Sequence, residues 1–224
     1  MTTTVTRRFG RGRRPLVHQG RELQCTWCFE DEALAEGHAI VAGVDEVGRG
    51  ALCGPVFAGA VVLGRGFDTA GLDDSKRLTR LQRESLDERV RSQAVAWAVG
   101  VAEPAEIDRV NVLRATYLAM RRALQGLSIR PTLVLVDGRP ADGIGAPQRA
   151  IVKGDALSVS IAAASIVAKV ARDKVMREWD ERCPGYGLAS NMGYGSQGHR
   201  DALRRMGPSA IHRKSFQGTQ AWLF

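Results

Sequence analysis

The sequence has no long hydrophobic segment. No run approaches the ~20 consecutive apolar residues that a helix needs to cross a bilayer. The N-terminus is rich in Thr and Arg and lacks the apolar core of a secretory signal peptide. We therefore expect a cytoplasmic protein that has no membrane partner. Internal repeats are also absent, which argues against a repeat architecture.

Cysteine is scarce, and its spacing gives little support to a metal or redox site. Cys25 and Cys28 form one C-x-x-C pair, but no second pair or histidine partner follows at zinc spacing, although His38 lies nearby. Cys53 and Cys183 are isolated in the sequence. Free thiols in a reducing compartment are the favoured interpretation. Zinc or redox chemistry at the C-x-x-C pair is the alternative.

The chain does contain enough apolar residues for one folded core. Its 224 residues are 44% hydrophobic, which suits one domain with a small appendage. Lys and Arg total 32 against 24 Asp and Glu, and the formal charge of +8 favours a polyanionic partner such as nucleic acid. Residues 7–15, RRFGRGRRP, have too little apolar content to pack. They predict a disordered basic arm, which is either a solvated tail or a nucleic-acid tether.

Three regions follow from the composition: the arm at 1–38, a core at 39–183 and a C-terminal helical region with a tail at 184–224. Apolar runs predict strands at 40–44, 55–63, 94–102, 132–136 and 151–152. Helical periodicity predicts helices at 79–92, 112–124, 156–182 and 197–206, with a short helix opened by Pro104. This order predicts an α/β fold, in which helices pack against a mixed sheet and a small helical attachment follows.

Four acidic residues lie at strand ends or loop edges, beside aliphatic residues or glycine. They are Asp45, Glu46, Asp137 and Asp155. An ionised carboxylate beside apolar residues carries a free-energy cost unless a positive charge offsets it. A divalent cation can do so, and Mg²⁺ and Mn²⁺ prefer oxygen ligands. Two such ions about 3.5–4 Å apart can activate water and stabilise the leaving oxygen in phosphodiester hydrolysis. Each acid alone also fits a structural role: a helix N-cap for Asp155, a turn for Asp137 and a polar loop for the Asp-Glu pair.

Residues 44–56, VDEVGRGALCGPV, resemble bacterial type 2 ribonuclease H (ribonuclease HII), in which an Asp-Glu pair precedes Gly-Arg-Gly. The resemblance continues through LDDSKRL at 72–78, VDG at 136–138, VKGD at 152–155, SIAAASIVAKV at 160–170 and ASNMGYGS at 189–196. It covers roughly residues 40–216 and implies a ribonuclease H-like, mixed five-stranded sheet. Two positions depart from the pattern: Val47 stands where alanine is commoner, and Met192 replaces a lysine. The loss of that lysine would weaken phosphate binding and leave the carboxylates intact.

The resemblance implies an endoribonuclease that hydrolyses the RNA strand of RNA/DNA hybrids. It also implies nicking of duplex DNA 5′ of a single embedded ribonucleotide, giving 3′-hydroxyl and 5′-phosphate ends, as in ribonucleotide excision repair. By the same resemblance the four acids bind two Mg²⁺ or Mn²⁺ ions when substrate is bound. The implied substrate contacts are Gly48, Arg49, Gly50, Ser75, Lys76, Tyr194, His212, Arg213, Lys214 and Ser215.

Tyr194 corresponds to the family tyrosine that stacks on the sugar at the RNA-to-DNA junction. A half-buried aromatic with one polar end is the structural alternative for it, and solvated surface charge is the alternative for the basic contacts. Tyr186, in a similar glycine-rich setting, is interpreted as structural. Asp173 lies four residues from Lys169, a spacing that predicts an ordinary helix ion pair.

Three other functions stay open at this point. The glycines of residues 48–54 resemble a nucleotide-binding loop, but they lead into a strand, whereas such loops open a helix. A noncatalytic RNA/DNA binder would have lost one or more of the four acids. Type 3 ribonuclease H shares the fold, but its N-terminal domain is larger than residues 1–38. We expect a monomer, and residues 222–224 give no support for a sliding-clamp partner.

Overall fold

A mixed five-stranded sheet forms the centre of the protein. The computed structural model describes residues 17–18, 21–22 and 25–220. The strands are β1 (Val17–His18), β2 (Arg21–Glu22), β3 (Val41–Val47), β4 (Val56–Val62), β5 (Ala96–Ala102), β6 (Leu133–Asp137) and β7 (Gln148–Ile151). The helices are α1 (Cys28–Ala35), α2 (Arg80–Gln93), α3 (Pro104–Val110), α4 (Val112–Gln125), α5 (Val159–Arg182), α6 (Leu188–Asn191), α7 (Gln197–Met206) and α8 (Gln217–Gln220), and a 3-10 turn occupies Gly154–Ala156.

The strand order of the central sheet is β5-β4-β3-β6-β7. Strand β4 is antiparallel to both of its neighbours, β3 and β5, whereas β6 runs parallel to β3 and β7 runs parallel to β6. The β3–β6 register pairs Val44 with Val136, so the next residues, Asp45 and Asp137, lie side by side at one edge of the sheet. The predicted fold, a mixed five-stranded sheet flanked by helices, is confirmed.

Alternation along β3 directs its side chains into two helical layers. Val44 belongs to the apolar cluster between the sheet and α4, together with Ala60 of β4. Gly43 faces α5 on the opposite side, and Asp45, two residues further along, shares that face. Glu46 shares the face of Val44. The side chains of Asp45 and Glu46, which are adjacent in the sequence, therefore point to opposite faces of the sheet.

Strand glycines let both helical layers approach the sheet closely. A Cβ atom at Gly43 would lie 2.1 Å from the carbonyl carbon of Ser160 in α5. On the other face, a Cβ atom at Gly100 would lie 2.1 Å from the carbonyl oxygen of Ala119 in α4. The obstructing atoms belong to helix backbones, so a larger residue could be accepted only if the whole helix moved.

Replacing Gly43 with alanine is expected to lower the free energy of unfolding by roughly 1–3 kcal/mol, because α5 must move away from β3. Gly66→Ala is the matched control, since a Cβ atom there meets no described atom within 4 Å. Denaturant unfolding of both variants measures the difference. An unchanged unfolding midpoint for Gly43→Ala, or equal losses for both variants, would contradict the close packing.

The residues just before the core form a helix that the sequence did not predict. In α1, the buried Glu30 accepts hydrogen bonds from the Ser158 hydroxyl at 2.5 Å and the Ser160 N–H at 3.0 Å. These bonds tie α1 to the start of α5. The prediction of a disordered arm over residues 1–38 is therefore wrong for α1, whose partners lie far along the chain. The Arg-rich residues 7–15 lie outside the described part of the chain.

The helices after α5 pack in an apolar cluster together with Met176 of α5 and Cys53, as expected for the predicted C-terminal helical attachment. The buried members are Cys53, Met176, Tyr186, Leu188, Ala202, Leu203 and Ile211. The Tyr186 hydroxyl donates to the Gly207 carbonyl at 2.7 Å, as its structural interpretation requires. The predicted Lys169–Asp173 ion pair is also present, at 2.7 Å.

The expectations for thiols and membrane spans can also be compared with the structure. All four cysteines are free thiols, as expected. Among the helices of residues 25–220, none has the length and apolar character that crossing a membrane requires. Residues 222–224, considered for a clamp contact, lie outside the described residues.

Candidate active site

Three carboxylates meet at the edge of the sheet where β3 and β6 end. Asp45 lies in β3, Asp137 ends β6, and Asp155 lies in the 3-10 turn before α5. Each contributes an oxygen to a group whose members all lie within 4.8 Å of one another. The parallel pairing of β3 with β6 brings the first two together, and the turn after β7 adds the third.

Backbone donors orient two of these acids. The Glu46 N–H donates to Asp45 Oδ1 at 2.7 Å, and the Gly154 N–H donates to Asp137 Oδ1 at 2.7 Å. The second bond joins the 3-10 turn to the end of β6, which fixes Asp155 beside Asp137. The carboxylates are thus held in place by the main chain before any ligand arrives.

Glu46, the fourth predicted ligand, is not part of the three-carboxylate group. Its carboxylate accepts a hydrogen bond from Arg49 Nη1 at 2.9 Å. Arg49 is the middle residue of the Gly-Arg-Gly loop, and its side chain is half exposed. The structure therefore brings together three of the four predicted ligands and pairs the fourth with the loop.

The group carries more negative charge than its surroundings compensate. Burial raises the pKa of Asp45 well above its usual range, and the charges of Glu46 and Asp137 raise it further. Burial and the neighbouring Asp155 raise the pKa of Asp137 to about 6. Lys76 Nζ donates to Asp155 Oδ2 at 2.8 Å and raises its own pKa through that bond, although burial opposes the rise.

These residues fit a hard divalent cation. The group offers carboxylate oxygens without thiolate or imidazole, which is the ligand set that Mg²⁺ and Mn²⁺ prefer. The raised pKa values of Asp45 and Asp137 report like-charge repulsion and desolvation that a cation would relieve. Asp45, Asp137 and Asp155 are the residues that could hold it.

The Gly48–Gly50 loop beside this group has two very different glycines. Gly48 adopts φ +93°, and a Cβ atom there would lie 2.2 Å from Arg172 Nε. Gly50 is exposed, and a Cβ atom there would meet no described atom within 4 Å. The fold therefore requires a glycine at position 48, whereas at position 50 it leaves open space above the backbone.

Two buried arginines bind backbone carbonyl groups of this loop and of the residues that follow it. Arg213 donates to the carbonyl oxygens of Gly48, Arg49 and Gly54 at 2.7, 2.8 and 2.9 Å. Arg172 donates to the carbonyl oxygen of Pro55 at 3.0 Å. Neither guanidinium forms an ion pair with a carboxylate in the described chain.

These two arginines differ from what the sequence predicted. Arg213 was expected to contact substrate, but it is fully buried under the loop whose carbonyl groups it binds. The sequence did not predict any functional role for Arg172. An arginine on a long Ala-rich helix predicted to be buried is the feature that could have identified it, because an unpaired buried charge is costly.

Tyr194 lies beside Arg172 and next to the residue that follows the Gly48–Gly50 loop. Tyr194 pairs with Ala51 in an antiparallel bridge, and the residue as a whole is 37% exposed. The Arg172 guanidinium lies 5.5 Å from the centre of that ring, and its Nη1 donates to the Met192 carbonyl at 2.9 Å. The half-exposed ring is available for stacking. Met192 packs its side chain against the C-terminal apolar cluster.

The other predicted substrate contacts are divided between the surface and the interior. Lys76 is largely exposed beside Asp155, whereas Ser75 is buried and shares a hydrogen bond with the Ser165 hydroxyl at 3.0 Å. The Ser215 hydroxyl donates to Asp108 at 2.7 Å, and Lys214 donates its backbone N–H to the same carboxylate at 3.0 Å. His212 is buried and bonds to other protein groups.

Comparison with known proteins identifies relatives along most of the chain. The family model described as "Ribonuclease HII" matches residues 42–219. The chain is 51% identical to ribonuclease HII of Myxococcus xanthus over 88% of this chain and 68% of that protein. It is 49% identical to ribonuclease HII of Moorella thermoacetica over 87% of this chain and 95% of that protein.

The structural comparison gives the same result. The crystal structure of ribonuclease H2 from Pyrococcus horikoshii superimposes with a TM-score of 0.69 at 28% identity, covering 81% of this chain and 96% of that one. The family model covers well over half of the chain. The chain therefore belongs to the ribonuclease HII family, whose members are enzymes of the ribonuclease H class.

Proposed function

We propose that this protein nicks duplex DNA on the 5′ side of an embedded ribonucleotide, in addition to the hydrolysis of RNA in RNA/DNA hybrids that its family implies. The observation that carries the proposal is the group of Asp45, Asp137 and Asp155 beside a loop with an open backbone at Gly50. The first feature suits phosphodiester hydrolysis. The second suits contact with a ribose. Such a nick begins ribonucleotide excision repair.

The three carboxylates are the proposed ligands of two Mg²⁺ or Mn²⁺ ions in the substrate complex, with Glu46 as the fourth ligand. Such ions supply Lewis acidity, which lowers the pKa of water and neutralises charge on a leaving oxygen. In this structure Glu46 accepts a hydrogen bond from Arg49, and joining the metal group would weaken or replace that bond. An incoming phosphate that pairs with Arg49 would release Glu46.

The remaining residues of the site bind and orient the nucleic acid. The main chain at Gly48 and Gly50 can approach a 2′-hydroxyl, the group that separates RNA from DNA. The half-exposed ring of Tyr194 offers a surface for stacking on a sugar. Lys76 lies beside Asp155, where its ammonium can attract the phosphate that is cut.

The decisive experiment uses a labelled DNA duplex that contains one ribonucleotide, with Mg²⁺ or Mn²⁺ and a chelator control. We expect a metal-dependent nick 5′ of the ribonucleotide, with a 3′-hydroxyl and a 5′-phosphate. An all-DNA duplex is the matched control and should stay intact. Cleavage restricted to longer RNA/DNA hybrids would favour type 3-like specificity, and no cleavage of either substrate would favour a noncatalytic binder.

Divalent cations are also expected to stabilise the folded protein without substrate. At about pH 8 Asp137, whose pKa is raised to about 6, is ionised, and repulsion within the group is large. A cation at 100 times its Kd would add about 2.7 kcal/mol to the free energy of unfolding. Thermal unfolding with increasing Mg²⁺ measures this effect. An unchanged midpoint at saturating concentrations would show that the protein does not bind the cation without substrate, and an equal rise in Asp45→Asn would place the ion at another site.

A further inference from the structure

Two buried histidines form a hydrogen-bonded pair behind the loop. His199, in the first turn of α7, and His212, near the C-terminus, are both almost completely buried. Their Nε2 atoms lie 3.0 Å apart. The ring of Tyr186 covers His212, with 4.9 Å between the ring centres. None of these groups belongs to the carboxylate site.

The neighbours of the pair fix the position of each proton. The Ser209 N–H donates to His212 Nδ1 at 2.9 Å, so that nitrogen is unprotonated and the ring proton is on Nε2. His199 Nδ1 lies 3.0 Å from the Tyr194 carbonyl oxygen, which can only accept, so His199 carries its proton on Nδ1. His212 Nε2–H therefore donates to His199 Nε2, and the three hydrogen bonds together require both rings to be neutral.

The electrostatic environment favours the neutral pair. Burial and the neighbouring His199 lower the pKa of His212 to about 4, and burial lowers the pKa of His199. A second proton on His199 would place two N–H groups against each other across the 3.0 Å gap between the rings, and a second proton on His212 would face the Ser209 N–H at 2.9 Å. At neutral pH the bond is therefore intact.

The same geometry argues against a metal ion at this place. Cys53 lies close enough to complete a three-ligand group with the two histidines. A metal-bound histidine carries its proton on the other ring nitrogen and donates it. That other nitrogen of His212 accepts the Ser209 N–H at 2.9 Å and also lies 2.8 Å from the Ser209 hydroxyl, so binding a metal through Nε2 would require the Ser209 N–H bond to be given up.

The pair joins two chain segments that flank residues 51–54, the continuation of the Gly48–Gly50 loop. On one side, the Leu52 N–H donates to the Gly193 carbonyl at 2.8 Å, next to Tyr194. On the other side, the Gly54 N–H donates to the Ile211 carbonyl at 2.9 Å, next to His212. The His199–His212 bond and the His199–Tyr194 bond connect these outer segments to each other.

We propose that His199 and His212 are positioning residues that hold Tyr194 against the Gly48–Gly50 loop, so that the ring and the loop act together on the sugar at the cleavage site. This inference rests on the proposed substrate contact of Tyr194. Neither histidine touches the nucleic acid. The chain of bonds runs from Ser209 through both rings to the Tyr194 carbonyl.

Two substitutions at His212 test the two hydrogen bonds of its ring one at a time. His212→Gln keeps an N–H donor near the position of Nε2, and His212→Asn keeps an acceptor near the position of Nδ1 and loses the donor. On the single-ribonucleotide duplex, His212→Asn should lower kcat/KM about five- to tenfold, as expected for one lost hydrogen bond, and His212→Gln should stay within about twofold of wild type. Equal losses in the two variants would overturn the proposal.

A double-mutant cycle tests whether the pair acts through Tyr194. Tyr194→Ala and His212→Asn should be non-additive in kcat/KM, because the pair has no ring to position once Tyr194 is truncated. A purely structural role predicts additive losses, and additivity would overturn the proposal. The cycle is measured well below the unfolding temperature of each variant. A wild-type protein that does not nick the duplex refutes the proposed function instead.

Two measurements test the pair independently of activity. Nitrogen NMR of the imidazoles should show His212 protonated at Nε2 and His199 at Nδ1, and the Tyr194 ring signals should shift in His212→Asn but not in His212→Gln. The opposite tautomers, or an unmoved Tyr194, would overturn the inference. Adding Co²⁺ should give no thiolate absorption band, whereas a band lost in Cys53→Ser would assign the pair to a metal site.

Discussion

Replacing Asp137 with Asn is expected to reduce metal-dependent cleavage by roughly 10³-fold or more, because a metal ligand contributes several kcal/mol of transition-state stabilisation. The fold should survive, since an amide oxygen can still accept the 2.7 Å hydrogen bond from the Gly154 N–H. Cleavage of a labelled RNA/DNA hybrid measures the loss. Asp87→Asn is the control: Asp87 is a buried acid that pairs with Arg91 of α2, outside the carboxylate group.

The same substitution should raise the free energy of unfolding without metal at neutral pH. The folded pKa of Asp137 is about 6, above the ordinary value of 3.8. Between these values the folded state binds more protons than the unfolded state, so stability falls as pH rises through this window. Above it the ionised acid destabilises the fold, and Asn removes that charge.

Unfolding experiments at several pH values measure this effect. We expect the stability difference between Asp137→Asn and wild type to grow from pH ~4 to pH ~6 and then to level off. Near-normal cleavage by Asp137→Asn would show that Asp137 is not a metal ligand. A variant less stable than wild type at neutral pH without metal would contradict the electrostatic account.

Gly48→Ala has the second large expected effect. Position 48 has φ +93°, where residues other than glycine are strained, and the new Cβ atom would lie 2.2 Å from Arg172 Nε. We expect a loss of roughly 1–3 kcal/mol in the free energy of unfolding from backbone strain, with the collision in addition. Cleavage should be largely lost, because displacing Arg172 also disturbs its contact with Tyr194.

Gly50→Ala should impair substrate contact without destabilising the fold. A methyl group at position 50 meets open space in the described structure, so the unfolding midpoint should change little. Cleavage should still fall, because the methyl group stands where the sugar would approach the main chain. Denaturant unfolding and the single-ribonucleotide assay give both quantities. Equal destabilisation by the two alanines, or full activity of Gly50→Ala, would contradict the different roles of the glycines.

Helices with local signals were predicted closely from the sequence. The helix predicted at 79–92 is α2, Arg80–Gln93, which begins at the capping box of Thr79 and Gln82. The helix α1 was missed because the bond from the Ser160 N–H to Glu30 spans 130 residues. A contact between residues so far apart in the sequence does not affect the local periodicity from which helices are predicted.

The start of α5 shows a similar limit at the site itself. The sequence placed the helix from residue 156 and allowed Asp155 as its N-cap. In the structure, Ser158 caps α5 by accepting the Ile161 N–H, and Asp155 lies in a separate 3-10 turn. That turn frees the Asp155 carboxylate to face Asp45 and Asp137. A cap and a ligand require the same residue type, so composition could not distinguish them.

The sequence by itself determined the fold class, most of its strands and helices, and the acidic residue types from which a metal site can be built, because periodicity and turn chemistry act over a few neighbouring residues. Only the tertiary structure decided which acids meet. Strand alternation separates Glu46 from Asp45, and parallel pairing brings Asp137 beside Asp45. Tertiary packing also buried Arg213 under the loop, through a bond to Gly48 that spans 165 residues. Contacts of that range depend on strand register and burial, which exist only after the chain has folded.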